Sequence, residues 1–311
     1  MPRALRVEYA GAIYHVMNRG NQRQNIFRDD FDRRHFLMAL GEACAKTGWQ
    51  IHAYCLMRNH FHLVIETPSA NLVAGMKWLL GVYTKRFNIR HKTCGHLFAG
   101  RYKALVVDGS GNGYLRTVGD YVHLNPVRAR LIRRNHRLSD FNWSSYGEYL
   151  KAPGQRPVWL RTGRLLGEKG IPQDSPAGRR EFARQMEERR RQETDDAYEQ
   201  IRQGWCLGGE EFRQALLARG KAAGASHYGE ERRERDEAKA RRLVAEGLAR
   251  LGWKESDLAL HRKGDANKVS LAAQLRRETT MSLKWIASQL HMGSWTYVSN
   301  LLSQTKYKKC K

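Results

Sequence analysis

The stretch that decides the fold is QIHAYCLMRNHFHLVIE, residues 50–66. It holds two short apolar runs, at residues 50–57 and 61–66, and Arg58-Asn59 joins them. Short apolar runs on either side of a polar junction are typical of a β-hairpin. The sequence therefore predicts two neighbouring antiparallel strands here.

The runs on either side of this hairpin alternate in type. Apolar side chains recur at helical spacing over residues 29–46 and 71–90, and strand-like runs cover residues 12–19 and 102–108. The predicted order is β-α-β-β-α-β, the split βαβ or ferredoxin-like arrangement of an α+β fold. A further helix at residues 114–124 is extra to this plan and must pack on the sheet.

The charge of the chain points to an anionic partner. The 311 residues include 55 Lys and Arg against 31 Asp and Glu, which gives a net charge of +24. Residues 1–150 and 151–311 each carry +12, so the charge is not confined to a basic tail. Such a charge repels itself unless an anion is near, and nucleic acid is the usual partner.

Several classes of protein are excluded by composition. No apolar run approaches the roughly 18 residues of a membrane helix, and the N-terminal residues lack an apolar stretch of signal-peptide length. The five cysteines are scattered without CxxC spacing. We therefore expect a cytoplasmic chain with reduced thiols, no membrane contact and no cysteine-based zinc site.

The composition predicts three regions. Residues 1–150 contain the alternating strands and helices, and residues 151–230 combine a Pro- and Gly-rich linker with a charged helical stretch. Residues 231–311 are predicted to be helical. A length of 311 residues is enough for about two domains of roughly 100–200 residues each.

A pair of histidines stands out on the second strand of the hairpin. Residues i and i+2 of a strand point to the same face, so His60 and His62 project together while Phe61 and Leu63 enter the core. Two adjacent imidazoles can hold a divalent ion and leave positions open for substrate oxygens. The alternative is an amphipathic strand whose exposed face happens to carry histidine.

A tyrosine and an asparagine follow on the extra helix. Tyr121 and Asn125 are four residues apart and share a helix face, so that a phenol nucleophile and an amide ligand would lie side by side. The alternative is a structural tyrosine followed by a helix-ending asparagine, because Pro126 disfavours helical geometry in the residue before it. His123 points away from that face.

Here the sequence resembles a known family. The segments NHFHLVIETP (59–68), GHLFAGRYKALVVD (95–108) and YVHLNPVRARL (121–131) are similar to the REP-associated tyrosine transposases, which belong to the single-tyrosine HUH endonucleases. The segments GAIYHVMNRGNQRQNIF (11–27) and DFNWSSYGEYL (140–150) also resemble that family. The resemblance covers about residues 5–150 and implies the same ferredoxin-like fold.

The resemblance also implies a mechanism. It places the HUH pair on His60 and His62, the nucleophile on Tyr121 and a third metal ligand on Asn125. With Mg²⁺ or Mn²⁺ as cofactor, the tyrosine would cleave single-stranded DNA at hairpin-forming repeats and form a 5′-phosphotyrosine. Arg101 and Lys103, near the start of the fourth strand, are candidate contacts to the DNA backbone, or else surface charges. Every candidate catalytic residue lies within residues 1–150.

The C-terminal residues predict a second DNA contact. Residues 268–302 resemble the C-terminal helix-turn-helix of the initiator protein DnaA, with Ser282 capping the first helix and residues 291–293 forming the turn. The exposed face of the second helix would present Trp295, Thr296, Ser299 and Asn300 to DNA. The alternative is an ordinary helical hairpin.

Two other functions remain open at this point. One is a DNA-binding regulator of repeated palindromes that does not cleave. The other is a zinc hydrolase built on the two histidines, although the chain lacks an HExxH motif or a carboxylate at useful spacing. A metal-dependent transposase that cleaves single-stranded DNA accounts for more of the pattern than either.

Overall fold

The computed structural model describes residues 7–133, 135–192, 198–222 and 230–308. The chain forms two compact units: the first reaches Ala222, apart from Ala45–Thr47, and the second holds the remainder. The regions 1–150, 151–230 and 231–311, which composition predicts, stay predictions. No helix in the described ranges is both long enough and apolar enough to cross a bilayer.

A five-stranded sheet forms the centre of the first unit. Its order is β2-β3-β1-β4-β5, and the strands are β1 (Ala12–Arg19), β2 (Gln50–Leu56), β3 (His60–Thr67), β4 (Lys103–Val107) and β5 (Cys206–Leu207).

The first four strands have the pairing of the split βαβ arrangement. β1 lies between β3 and β4 and is antiparallel to both, while β2 pairs with β3 as the predicted hairpin. This confirms the predicted α+β fold. The short strand β5 pairs in parallel with β4 and was not predicted. It brings the chain near residue 206 to the edge of the sheet.

The helices of this unit fall between and after the strands. They are α1 (Asp30–Thr47), α2 (Leu72–His91), α3 (Tyr114–His123), α4 (Asn125–Arg128), α5 (Tyr146–Tyr149), α6 (Gly163–Glu168), α7 (Pro176–Arg191), α8 (Glu199–Gln203) and α9 (Glu210–Ala222).

Local signals set the ends of α1. The Asp29 side chain accepts a hydrogen bond from the backbone N–H of Asp32, which satisfies one of the free donors of the first turn. The helix ends at Gly48, whose φ of 74° is the left-handed conformation that glycine adopts without strain. The chain then turns directly into β2.

The sheet has a separate core on each face. Along β1, Tyr14 and Val16 pack with α1 and α2, whereas Ile13 packs with α3. This alternation follows from the two-residue period of a strand. It also places His15, the next residue of odd number, on the same face as α3.

The second unit is helical. Its helices are α10 (Glu230–Leu251), α11 (Asp257–Leu260), α12 (Ala266–Glu278), α13 (Leu283–Gln289) and α14 (Trp295–Lys308). The Ser282 side chain accepts from the N–H of Trp285 and caps α13, as predicted.

The turn between α13 and α14 is also where the sequence predicts it. His291 and Gly293 both have positive φ there, at 50° and 81°. Ile286, Leu290 and Val298 are buried between the helices of this unit. The hairpin is thus present, while its role in binding DNA stays a prediction.

Candidate active site

Strand β3 carries His60 and His62 on the face of the sheet that α3 covers. Their ring centroids are 5.1 Å apart and the ring planes are nearly perpendicular, at 85°. The alternate residues Phe61 and Leu63 are fully buried in the other core. The two imidazoles therefore share a face, as the HxH spacing predicts.

Both nitrogens of His62 are engaged by neighbouring side chains. Nε2 lies 3.1 Å from the amide nitrogen of Asn125, and Nδ1 lies 2.9 Å from Nε2 of His15. Because an amide nitrogen only donates, Nε2 of His62 carries the lone pair and Nδ1 carries the proton, which it donates to His15. His15 thus fixes the tautomer in which Nε2 of His62 faces Asn125.

His60 is oriented in the same way by its neighbour in sequence. Its Nδ1 lies 2.8 Å from the amide oxygen Oδ1 of Asn59, which accepts the proton of Nδ1. The lone pair of His60 is therefore on Nε2. Both histidines hold the tautomer in which Nε2 carries the lone pair and could ligate a cation.

The electrostatics keep these imidazoles neutral. Burial, and then the nearby Arg19, lower the pKa of His60 to about 4. Burial, followed by the charges of His15 and His60, holds the pKa of His62 well below its usual range. Metal binding requires the neutral imidazole, so the donor set suits a cation at neutral pH without first releasing a proton.

The candidate metal ligands are two imidazoles and one amide. Within the described ranges, no group of three or more His, Cys, Asp or Glu side chains is arranged to hold a metal ion. His60, His62 and Asn125 fit a cation that keeps several positions for water or phosphate oxygens, because the set contributes three donors and no carboxylate.

Tyr121 packs against this group from α3. Its ring centroid is 5.4 Å from that of His15 and 5.6 Å from that of His62, and both contacts are edge-to-face. Only 7% of the tyrosine is exposed. The structure therefore brings Tyr121 together with the histidine pair and Asn125, all four residues that the sequence singles out.

Asn125 reaches His62 although α3 has already ended. The helix ends at His123, and Asn125 begins the short helix α4, with Pro126 in its first turn. Proline is tolerated in the first turn because the N–H that it lacks would have no helical partner there. The break in the helix keeps Asn125 beside Tyr121 and aims its amide at β3.

A cationic and aromatic cover surrounds the phenol. The Arg128 guanidinium carbon lies 4.1 Å from the centroid of the Tyr121 ring, and this arginine also donates to the Tyr121 carbonyl. The Tyr198 ring packs against Tyr121 with the ring centroids 5.3 Å apart, and Arg128 also lies over Tyr198. Burial raises the pKa of Tyr121, whereas the positive charges of Arg128 and Arg202 lower it.

His123 is outside this site. It is fully buried on the opposite side of α3, where its Nε2 lies 2.8 Å from the Ser145 hydroxyl and its ring packs against Tyr149 and Phe182. It therefore faces the core, as the helical spacing predicts.

The predicted DNA contacts lie in two places. Lys103 of β4 lies opposite Met17 of β1, and Met17 lies opposite His62 of β3. Lys103 is therefore exposed on the same face of the sheet as His62, about 10 Å away across two strand spacings. Arg101 is exposed just before the strand. In the second unit Trp295, Thr296 and Asn300 are exposed and Ser299 is half-buried.

The sequence reasoning missed His15, Arg128, Tyr198 and Arg202. His15 has a signal: a strand next to the HxH strand, with a histidine on the same face, predicts a third imidazole nearby. Arg128 lies one helical turn after Asn125. Tyr198 and Arg202 have no local signal, because only the tertiary fold brings residues near 200 to Tyr121.

Comparison with known proteins gives one family match. Residues 8–125 match the family model described as IS200-like transposase. No curated protein matches the chain. A solved structure of a REP-associated tyrosine transposase bound to a REP hairpin is similar at 17% identity and a TM-score of 0.40, over 52% of this chain and 92% of that one.

Proposed function

We propose that this chain, whose first unit carries a domain matching the IS200-like transposases, is a DNA endonuclease and strand transferase with a tyrosine nucleophile. Its substrate is single-stranded DNA that forms hairpins. The observation that carries the proposal is the packing of Tyr121 against His62, within reach of Asn125 and His60.

The reaction is a transesterification at one phosphodiester. The Tyr121 oxygen loses its proton, attacks the scissile phosphorus and forms a new P–O bond, while the bond to the 3′ oxygen breaks. The 3′ oxygen takes a proton and leaves as a hydroxyl, and the 5′ phosphate stays on Tyr121. Because one phosphoester replaces another, a new 3′ hydroxyl can later attack the 5′ phosphate and release Tyr121.

His60 and His62 would hold Mg²⁺ or Mn²⁺ through their Nε2 atoms, and Asn125 would join them once its amide turns to present the oxygen in place of the nitrogen that faces His62. When bound, the cation polarises the scissile phosphate and stabilises the charge that develops on its oxygens. His15 and Asn59 keep the two imidazoles in the ligating tautomer. Burial raises the pKa of Tyr121 and so disfavours the phenolate, and the positive charge of Arg128 offsets part of that rise.

The DNA backbone would be held by exposed cations and by the second unit. Arg101 and Lys103 lie at the end of the sheet that carries the histidines and would contact the phosphates near the cleavage site. The hairpin of α13 and α14 would hold the duplex stem, with Trp295, Thr296, Ser299 and Asn300 toward a groove. Recognition helices read DNA with their first residues, which supports this assignment.

The test is formation of a covalent adduct. The protein is incubated with Mn²⁺ and labelled single-stranded hairpin DNA taken from the sequences that flank its gene, and adducts that survive SDS are counted. Tyr121→Phe removes only the hydroxyl, so we expect folding and DNA binding to persist and the adduct to disappear. Tyr114→Phe, at the start of the same helix, is the matched control and should keep the adduct.

Two outcomes would overturn the proposal. One is an adduct that persists in Tyr121→Phe. The other is full hairpin binding by the unmodified protein with neither adduct nor cleavage at any Mg²⁺ or Mn²⁺ concentration, which would favour the non-cleaving regulator.

A further inference from the structure

A surface cavity of about 380 Å³ lies where the chain leaves α8 and enters the edge strand β5. Its lining includes Glu199 and Gln200 from α8, Trp205 and Cys206 at the strand, and Arg213 from α9. The family match ends at residue 125, so none of these residues belongs to the matched segment.

Trp205 gives the cavity an aromatic wall. The residue is 38% exposed, although indole is among the largest apolar surfaces a protein can bury. The Arg213 guanidinium lies 5.9 Å from the indole ring. A partly exposed indole with an arginine over its ring combines the aromatic and cationic groups on which proteins stack the bases of single-stranded nucleic acid.

The backbone places this wall at the edge of the sheet, beside β4. The Trp205 carbonyl accepts from the N–H of Val106, which fixes the residue beside β4. Leu207 belongs to the same buried cluster as Tyr121, and Cys206 packs on the opposite face. Trp205 immediately precedes the strand and therefore lies at this edge of the sheet.

The helix α8 links the cavity directly to the candidate nucleophile. Tyr198, whose ring packs on Tyr121, immediately precedes Glu199, and Glu199 and Gln200 line the cavity. A DNA strand with its scissile phosphate at Tyr121 would therefore have a neighbouring nucleotide within reach of Trp205.

The polar lining includes a group that can bind the edge of a base. The Gln200 amide can donate to and accept from a base edge. A base in a duplex has both faces stacked and its pairing edge occupied, so only an unpaired base can enter.

We propose that this cavity binds one unpaired nucleobase of single-stranded DNA next to the cleavage site, stacked on Trp205 and flanked by Arg213. This inference rests on the proposed function, since it extends the substrate site around Tyr121. It assigns a base-binding role to residues 199–213, for which the sequence alone suggests none.

The experiment measures the affinity of the full chain for two labelled hexamers by fluorescence anisotropy. One hexamer is oligo-dT, and the other is an abasic strand of the same length and charge. We expect Trp205→Ala to weaken oligo-dT binding by about 5- to 150-fold, the range of one lost base stack, and Trp205→Phe to restore part of it. The abasic strand should bind the unmodified protein and Trp205→Ala with equal affinity.

Phe31→Ala is the matched control, because Phe31 is an aromatic of similar exposure, 42%, elsewhere in the first unit. It should leave oligo-dT affinity within about twofold. Unchanged oligo-dT binding in Trp205→Ala would overturn the inference. An equal loss for both strands would overturn it too, because the loss would then come from altered folding or altered phosphate contacts.

The adduct assay separates this inference from the proposed function. If Trp205→Ala binds oligo-dT normally while the unmodified protein forms the Tyr121 adduct, only the base site is wrong. If the unmodified protein forms no adduct yet loses oligo-dT affinity in Trp205→Ala, the base site stands and the nuclease proposal fails.

Discussion

The hydrogen bond between His15 and His62 links two strands through a single proton. Its length of 2.9 Å and the near-parallel planes of the two rings, at 10°, make it a well-formed in-plane contact. Without it, His62 would be free to adopt the other tautomer, in which Nε2 carries a proton and cannot ligate a metal. His15 is therefore a positioning residue for His62.

Replacing His15 tests this role. His15→Ala removes the acceptor, so we expect the Mn²⁺ concentration for half-maximal adduct formation to rise by about 10- to 100-fold, the usual effect of losing a partner of a metal ligand. His15→Gln keeps an acceptor and should recover part of the loss. A matched change at His52, which is equally buried but bonded to Glu66, should not alter the Mn²⁺ requirement. An unaltered requirement in His15→Ala would contradict the positioning role.

Burial of His123 makes stability depend on pH. Burial, and then the charge of Lys169, lower the pKa of folded His123 to about 3, whereas an unfolded histidine titrates near 6.5. Between these values the unfolded chain binds more protons, so the contribution is complete above about pH 6.5 and declines as the pH falls. The slope for one such group is about 1.4 kcal/mol per pH unit.

Thermal unfolding between pH 7.5 and pH 5 measures this effect. We expect Tm to fall with pH, and His123→Gln, which keeps a group that can bond to Ser145, to show a shallower fall. Identical pH slopes in the two proteins would show that His123 takes up its proton in the folded state.

At the scale of elements, periodicity predicts most of the strands and helices in residues 1–150. The strands β1 to β4 and the helices α1, α2 and α3 lie within one or two residues of their predicted ends, because each has several turns or alternations of apolar side chains. The two-residue strand β5 is too short to show a period. It forms because β4 offers an open edge to pair with, and this edge exists only in the folded sheet.

Helix α2 packs against Trp49 through a glycine. A Cβ added at Gly75 would overlap the Trp49 ring, whereas a Cβ at Gly81, on the same helix, would meet nothing within 4 Å. Glycine is therefore required at the first position for close approach and carries only its entropic penalty at the second.

The two glycines make a matched pair of variants. Gly75→Ala should lower the free energy of unfolding by about 1–3 kcal/mol, because the tryptophan must move in a filled core. Gly81→Ala should raise it by up to about 1 kcal/mol through helix propensity. Urea denaturation measures both, and a neutral or stabilising Gly75→Ala would contradict the packing of α2 on Trp49.

At the scale of the whole molecule, the two compact units suggest a division of labour. Both halves of the sequence are basic, so each can contact DNA phosphates. The residues around Tyr121 come from far along the chain, since Phe182 and Tyr198 belong to its buried cluster. Sequence periodicity gave no reason to extend the catalytic region beyond residue 150.

Two fragments test this division. A fragment that ends at residue 222 keeps α8 and β5, so we expect it to form the adduct with single-stranded DNA. It should bind the hairpin stem at least about tenfold more weakly than the full chain and show a shallower salt dependence, because it makes fewer phosphate contacts. A fragment that ends at residue 150 lacks Phe182 and Tyr198 and should be unstable. Equal stem affinity in the 222-residue fragment and the full chain would remove DNA binding from the second unit.

The central claim is that Tyr121 becomes covalently joined to DNA, and peptide mapping of the adduct tests it most directly. Trypsin releases Tyr121 in the peptide TVGDYVHLNPVR, residues 117–128, and releases Tyr114 in a different peptide, residues 104–116. After nuclease trimming, mass spectrometry should find the nucleotide phosphate on residues 117–128, at Tyr121. A nucleotide on the peptide of Tyr114, Tyr102 or Tyr198 would contradict the account.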